Sequence, residues 1–225
     1  MFEIVLDTET TGLDPSAGHR IVEIGCVELE NHLPTGRTYH QYINPKRDMP
    51  AEAYAVHGLS EEFLAGQPEF GEVVDDFLTF IGDVTLVIHN ADFDMGFINA
   101  ELTARDLDVI PRERAVDTVA MARRKFPGAR ANLDSLCQRF GIDNSDREMH
   151  GALKDSYLLS AVYLELIGGR QPGLELKSDK KTTAIHRGER KVREPRPHAP
   201  SAEEVTAHAE FIGRIEKNLW YDGGK

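Results

Sequence analysis

Residues 2–13 read FEIVLDTETTGL, and this stretch decides the fold. Phe2 to Leu6 is a short apolar run rich in β-forming residues, the pattern of a strand. Side chains two apart on a strand share a face, so an extended backbone continued to Glu9 projects Asp7 and Glu9 together. Thr10, Thr11 and Gly12 follow as a turn, and the glycine lets the main chain approach a ligand closely. Taken alone, DTET also fits a polar strand end with two solvated acids.

Two further segments repeat the anomaly of an acid on an apolar element. Val84 to His89 reads as a buried strand, followed by a helix start capped by Asn90 or Asp92. Asp94 shares a helical face with Phe97 and Ile98, although a first-turn acid is also what a helix dipole favours. Ala152 to Ile167 reads as a helix ended by Gly168 and Gly169. Asp155 falls on its apolar stripe with Leu158, Leu159, Val162 and Leu166. His150 stands before this helix, hinged by Gly151; it cannot share a helical face with Asp155 but can reach the same place from a loop.

Carboxylates on core-facing positions are costly to bury unless something pairs them. Asp7, Glu9, Asp94 and Asp155 brought together would repel, and a pair of divalent cations resolves the repulsion. Hard oxygen ligands suit magnesium or manganese. The pattern is that of a two-metal phosphodiester hydrolase.

The chain of 225 residues has 40% hydrophobic residues, enough for one domain with an appendage. No run is long enough to span a membrane, and the N-terminus enters a strand without a signal peptide, as in a cytoplasmic protein. Cys26 and Cys137 lie in apolar surroundings and are expected to be buried and reduced. Strands are expected near 2–7, 20–29, 37–43, 84–89 and 115–117, and helices near 60–65, 70–81, 92–105, 117–125, 132–139 and 152–167. The segment 20–29 carries apolar residues on both faces, so it is mostly buried. The expected class is α/β, a mixed sheet flanked by helices.

DTETTGL (7–13), HNADFD (89–94) and HGALKD (150–155), in that order, resemble the three motifs of the DEDDh family of 3′–5′ exonucleases. The likeness runs over nearly all of residues 1–170, including AVHGLSEEFL (55–64) and PEFGEVVDDFLTFI (68–81). Within that family the chain is most similar to the proofreading subunits of bacterial replicative polymerases. The resemblance implies a ribonuclease-H-like fold, with Asp7, Glu9 and Asp155 as direct metal ligands and Asp94 as the fourth acid. It implies His150 as the general base that takes a proton from the attacking water. It places Glu52 and His57, in AEAYAVHG (51–58), near the terminal nucleotide, and makes Thr10 to Leu13 the cradle of the last sugar and base. A helix-surface acid and a satisfied turn histidine remain the competing readings of Glu52 and His57. The implied product is a nucleoside 5′-monophosphate, released from a DNA 3′ end in the bacterial replisome at the nucleoid.

After Gly169 the chain changes character. Residues 1–176 hold 15 basic against 30 acidic residues, whereas 177–197 hold eight against three with almost no large apolar group. Residues 177–200 therefore read as a disordered basic tether. An acidic body binds DNA poorly by itself, so a partner is expected to hold the DNA. QPGLEL (171–176) resembles the peptide by which bacterial proteins dock into the sliding clamp, with Leu174 and Leu176 filling a pocket and Gln171 bonding at its edge. In 201–225, Ser201 and Glu204 form a capping box, and Val205, Ala209, Ile212, Ile215 and Leu219 form an apolar stripe, with Phe211 and Trp220 adding bulk. Beyond a tether such a face is expected in a partner's groove, and the resemblance names the polymerase (alpha) subunit. It also implies a small stabilising, theta-like subunit. Two other classes stand beside this reading: a DEDDh enzyme trimming RNA or short oligonucleotides, whose site would look the same, and a non-catalytic adaptor, which the intact five-residue site disfavours.

Overall fold

The computed structural model describes residues 1–145, 149–169 and 199–215. The chain divides into two units, Met1–Glu175 and Leu176–Lys225. In the first, β1 (Phe2–Thr10), β2 (Ile21–Glu30), β3 (Leu33–Tyr42), β4 (Thr85–Ile88) and β5 (Ala115–Asp117) form one sheet in the order β3-β2-β1-β4-β5. β1 is antiparallel to β2, and β2 to β3, while β1, β4 and β5 run parallel. This is the mixed sheet expected, and it places β1 at the centre.

Period two along β1 divides its side chains between two cores. Ile4 and Leu6 join a core built with α3 (Phe70–Ile81) and α4 (Ala91–Thr103). Val5 joins the core on the opposite face, under α5 (Thr118–Lys125), α6 (Leu133–Phe140) and α7 (Ala152–Leu166). The polar residues of β1 obey the same alternation. Glu3 accepts a hydrogen bond from the Tyr163 hydroxyl of α7 at 2.7 Å, whereas Thr8 bonds to Asp94 of α4.

Strand β3 begins at Leu33 rather than near residue 37. Asn31 and His32 both take positive φ, 51° and 68°, and so close a two-residue hairpin that pairs Glu30 with Leu33. Pro34 is tolerated because β3 is the sheet's edge. Two short helices, α1 (Ala51–His57) and α2 (Glu61–Ala65), precede α3, and α1 was not among the expected elements. Its N-cap, Pro50, makes no side-chain cap, so the usual start signal is missing; Gly58 ends it at φ 70°. Helix α4 starts at Ala91 with Asn90 in the cap position, but Asn90 is left-handed, φ 68°, and its side chain does not cap.

Cys26 and Cys137 are both buried, and burial pushes the Cys26 thiol well up. In the second unit, α8 (Ala202–Gly213) opens with the expected capping box of Ser201 and Glu204. Val205 and Phe211 are exposed on it. The clamp-like hexapeptide, the tether through residue 198, and Leu219 and Trp220 lie outside the described residues. No helix among the described residues is long and apolar enough to cross a membrane.

Candidate active site

The site forms where the C-terminal end of β1 meets the N-terminal ends of α4 and α7. β1 remains extended through Glu9, so Asp7 and Glu9 share the α7 side of the sheet. Helix α7 can approach this closely because Gly25 stands opposite Asp7 in the sheet register. A Cβ on Gly25 would lie 2.2 Å from the main chain of Ala152 and Leu153. Asp155 sits in the first turn of α7 and is buried. One ligand atom each from Glu9, His150 and Asp155 lie within 4.8 Å of one another.

His150 reaches this group from the loop before α7. Its main-chain N–H donates to the Val56 carbonyl of α1 at 3.1 Å, and its Nδ1 lies 3.4 Å from Asp155 Oδ2. The side chain keeps 46% of its exposure, so its ring stays open to solvent. Asp94 enters from the other face of the sheet. Its Oδ1 accepts from the Thr8 amide at 3.0 Å and the Thr8 hydroxyl at 2.7 Å, which ties α4 to the strand between Asp7 and Glu9. Burial pushes the Asp94 carboxyl up to about 7, against the lowering effect of the bonds from Thr8. Asp7 and Asp94 are not part of the 4.8 Å group.

Two buried carboxylates, Glu9 and Asp155, within 4.8 Å of a His150 nitrogen, with Asp7 on the same side of the strand, offer oxygen donors that suit a hard divalent cation. The donor set therefore fits the expected metal centre.

Next to the acids lies a cavity of about 580 Å³. Glu9, Thr10, Thr11, Gly12 and Leu13 line one side, and Glu52 and His57 of α1 another. All six sequence-predicted nucleotide-contacting positions beyond the acids thus face one space. Leu13 is 84% exposed at its lip. Thr10 folds the turn by donating to the Gly12 carbonyl at 2.6 Å. His57 Nδ1 accepts from the Leu59 amide at 3.0 Å, so a neutral ring carries its proton on Nε2. That Nε2 is buried near the Thr10 main chain without a well-formed hydrogen bond, and burial lowers the His57 pKa.

His19 and Phe93 are among the lining residues that the sequence did not single out. The His19 ring fills the space beside Gly12, where a Cβ would meet it at 2.3 Å, and its Nδ1 lies 3.2 Å from the Thr11 hydroxyl. Phe93 was recoverable as the immediate neighbour of Asp94; His19 lies in a turn with no periodic signal.

Fold and site together define a metal-dependent 3′–5′ exonuclease of the DEDDh class. The exonuclease family (RNase_T) matches residues 4–163. The DNA polymerase III subunit epsilon of Rickettsia conorii is 49% identical over 97% of this chain and 98% of its own. That of Escherichia coli K12 is 40% identical over 97% and 96%. The chain belongs to the exonuclease family, in the branch formed by the DNA polymerase III epsilon subunits. Among solved structures, exonuclease X in complex with 5′ overhanging duplex DNA superposes with a TM-score of 0.59 at 25% identity, covering 73% of this chain and 90% of that one. The nuclease domain of 3′hExo, a DEDDh member bound to rAMP, shares the fold with a TM-score of 0.63 at 20% identity, covering 74% and 91%.

Proposed function

We propose that this exonuclease proofreads DNA synthesis as a subunit of a bacterial replicase, removing mispaired 3′-terminal nucleotides. The observation that carries the reading is the convergence of Glu9, His150 and Asp155 within 4.8 Å beside the cavity walled by the Thr10–Leu13 turn. A 3′ terminus placed in that cavity brings its last phosphodiester to the acids.

Asp7, Glu9 and Asp155 hold the metals directly, and Asp94 completes the set. Two bound magnesium or manganese ions would supply positive charge against the phosphodiester and acidify a water. His150, with Nδ1 toward Asp155, takes the proton of the attacking water at Nε2. The water oxygen bonds to phosphorus as the bond to the leaving 3′ oxygen breaks. That oxygen takes a proton from solvent, and a nucleoside 5′-monophosphate departs. His57 donates from Nε2 to an acceptor on the terminal nucleotide, a better-formed partner than the protein alone gives that buried N–H. Glu52 at the rim and Gly12 in the turn confine the sugar, and Leu13 bears on the last base.

The body, 1–170, carries the chemistry. Gln171, Leu174 and Leu176 dock into the sliding clamp, 177–200 is the tether, and 201–225 binds the polymerase alpha subunit; a theta-like protein stabilises the body. The exposed Val205 and Phe211 of α8 support a partner face on that tail. Comparing degradation of a DNA primer with a mismatched 3′ end against a short RNA tests the reading: DNA should be hydrolysed preferentially. Faster trimming of the RNA would favour an oligonucleotide-processing enzyme instead.

A further inference from the structure

Glu101 is a buried carboxylate that the chemistry above does not use. It stands seven residues after Asp94 on α4, so both acids lie on one face, separated by two turns or about 10 Å along the axis. Only 3% of its side chain is exposed, and two arginines converge on it. Arg20 is bidentate, Nε to Oε1 at 2.5 Å and Nη2 to Oε2 at 2.7 Å. Arg105 reaches Oε2 at 2.8 Å and lies over the Phe70 ring.

The two arginines differ in what lies behind them. Arg105 lies in the turn just after α4, two residues beyond Thr103, and its main-chain N–H donates to the Leu102 carbonyl of that helix. Arg20 forms the neck of the excursion that leaves β1 and returns as β2. The Thr11 amide donates to the Arg20 carbonyl at 2.9 Å, and the Arg20 amide donates to the Thr11 hydroxyl oxygen at 3.0 Å. The same excursion carries Gly12, Leu13 and His19 into the cavity wall. Its other end is held by Asp94 through Thr8. One face of one helix therefore grips the loop on both sides, by Asp94 before it and by Glu101 after it.

We infer that Glu101, acting through Arg20, is a positioning residue that sets the nucleotide-contacting turn Thr10–Leu13 against the helix bearing Asp94. This rests on the proposed reading of that turn as the cradle of the 3′ nucleotide. A bidentate guanidinium–carboxylate pair fixes orientation as well as distance, which a point charge does not. Loss of the pair loosens the turn, and with it binding of the nucleotide in ground and transition states alike. Such a loss raises KM and leaves kcat.

The test compares three full-length variants, Arg20→Met, Glu101→Gln and Arg105→Met. Arg105→Met removes a partner of Glu101 without touching the loop, and so reports what mere structural loss does. In Arg20→Met and Glu101→Gln, KM for single-stranded DNA and the dissociation constant of thymidine 5′-monophosphate should rise together, on the order of tenfold, with kcat within about threefold of the parent. Arg105→Met should lower the unfolding temperature and leave both constants near the parent values. Equal shifts in Arg20→Met and Arg105→Met would overturn the inference, as would an unchanged nucleotide affinity in Arg20→Met. Affinity for the monophosphate is read by calorimetry without turnover. A loop that Arg20 does not position is thereby distinguished from a protein that does not hydrolyse DNA. If Glu101→Gln fails to fold, Arg20→Met against Arg105→Met decides the matter.

Discussion

The hydroxyl of Ser156 donates to the carbonyl oxygen of Gly25 at 2.9 Å, at the one residue of β2 that pairs with Asp7. Strand and helix touch here main chain to main chain, since no side chain intervenes at Gly25. The contact sets how far Asp155, the neighbour of Ser156, stands from the strand bearing Asp7 and Glu9. Gly25→Ala should therefore displace the start of α7. Overpacking of this kind costs about 1–3 kcal/mol. A displacement near 1 Å in a reacting group costs on the order of 10²-fold in rate. Turnover measured beside thermal unfolding should show the rate falling far more than the loss of folded protein explains.

Removing an acid should separate stability from activity. Asp155→Ala deletes a ligand but also relieves repulsion among buried carboxylates. The variant should remain folded, bind manganese more weakly by calorimetry, and lose exonuclease activity. Parent-like activity with magnesium would show that Asp155 is not part of the centre.

His150→Gln should lose about 10²–10⁴-fold in turnover, the usual contribution of a positioned base. Metal affinity should persist, because His150 is assigned to the water and not to the metals. Metal titration of the variant checks this directly. Lost affinity with full recovery of turnover at excess metal would move His150 into the ligand set.

His57 gives the protein a pH dependence of predictable sign. Burial lowers its folded-state pKa below the ordinary 6.5. As pH falls through 6.5 the unfolded chain binds a proton that the folded one refuses, so protonation favours unfolding. The contribution is whole above that value and is lost toward the folded pKa. The stability difference between the parent and His57→Asn should therefore shrink on going from pH 7.5 to lower pH. A difference that stays constant or grows would show that His57 is not held neutral.

The appendage should act as separate modules. Removing 201–225 should abolish association with the polymerase subunit and leave hydrolysis of free single-stranded DNA unchanged. Alanine at Gln171, Leu174 and Leu176 should weaken clamp binding alone. Losing both should exceed either loss, because tethered sites share an effective concentration. Pull-downs with each purified partner read the two effects.

The acids were legible because each violates a local pattern: Asp7 and Glu9 by strand period, Asp94 and Asp155 by sitting on apolar helical stripes. Glu9 and Asp155 come together with His150 because Gly25 lets the start of α7 approach β1. Less legible was what depends on contact between distant segments. The close approach at Gly25, the bonds from Thr8 to Asp94 and the packing of His19 beside Gly12 involve residues whose own neighbours carry no signal of them. Helix α1 escaped because it is seven residues long, too short for a period to declare itself, and begins without a side-chain cap. The hairpin at Asn31 and His32 was hidden by Pro34 and Gly36, which read as loop although an edge strand accepts both.

We propose that this chain hydrolyses DNA from the 3′ end with the four acids and His150. The most direct measurement follows a primer–template with a mismatched 3′ terminus, labelled at its 5′ end, incubated with purified protein and magnesium. The expected result is a ladder shortening from the 3′ end, nucleoside 5′-monophosphate as product, and no reaction with Asp7→Ala under the same conditions. Internal cleavage, release of nucleoside 3′-monophosphates, or an Asp7→Ala variant as active as the parent would contradict it.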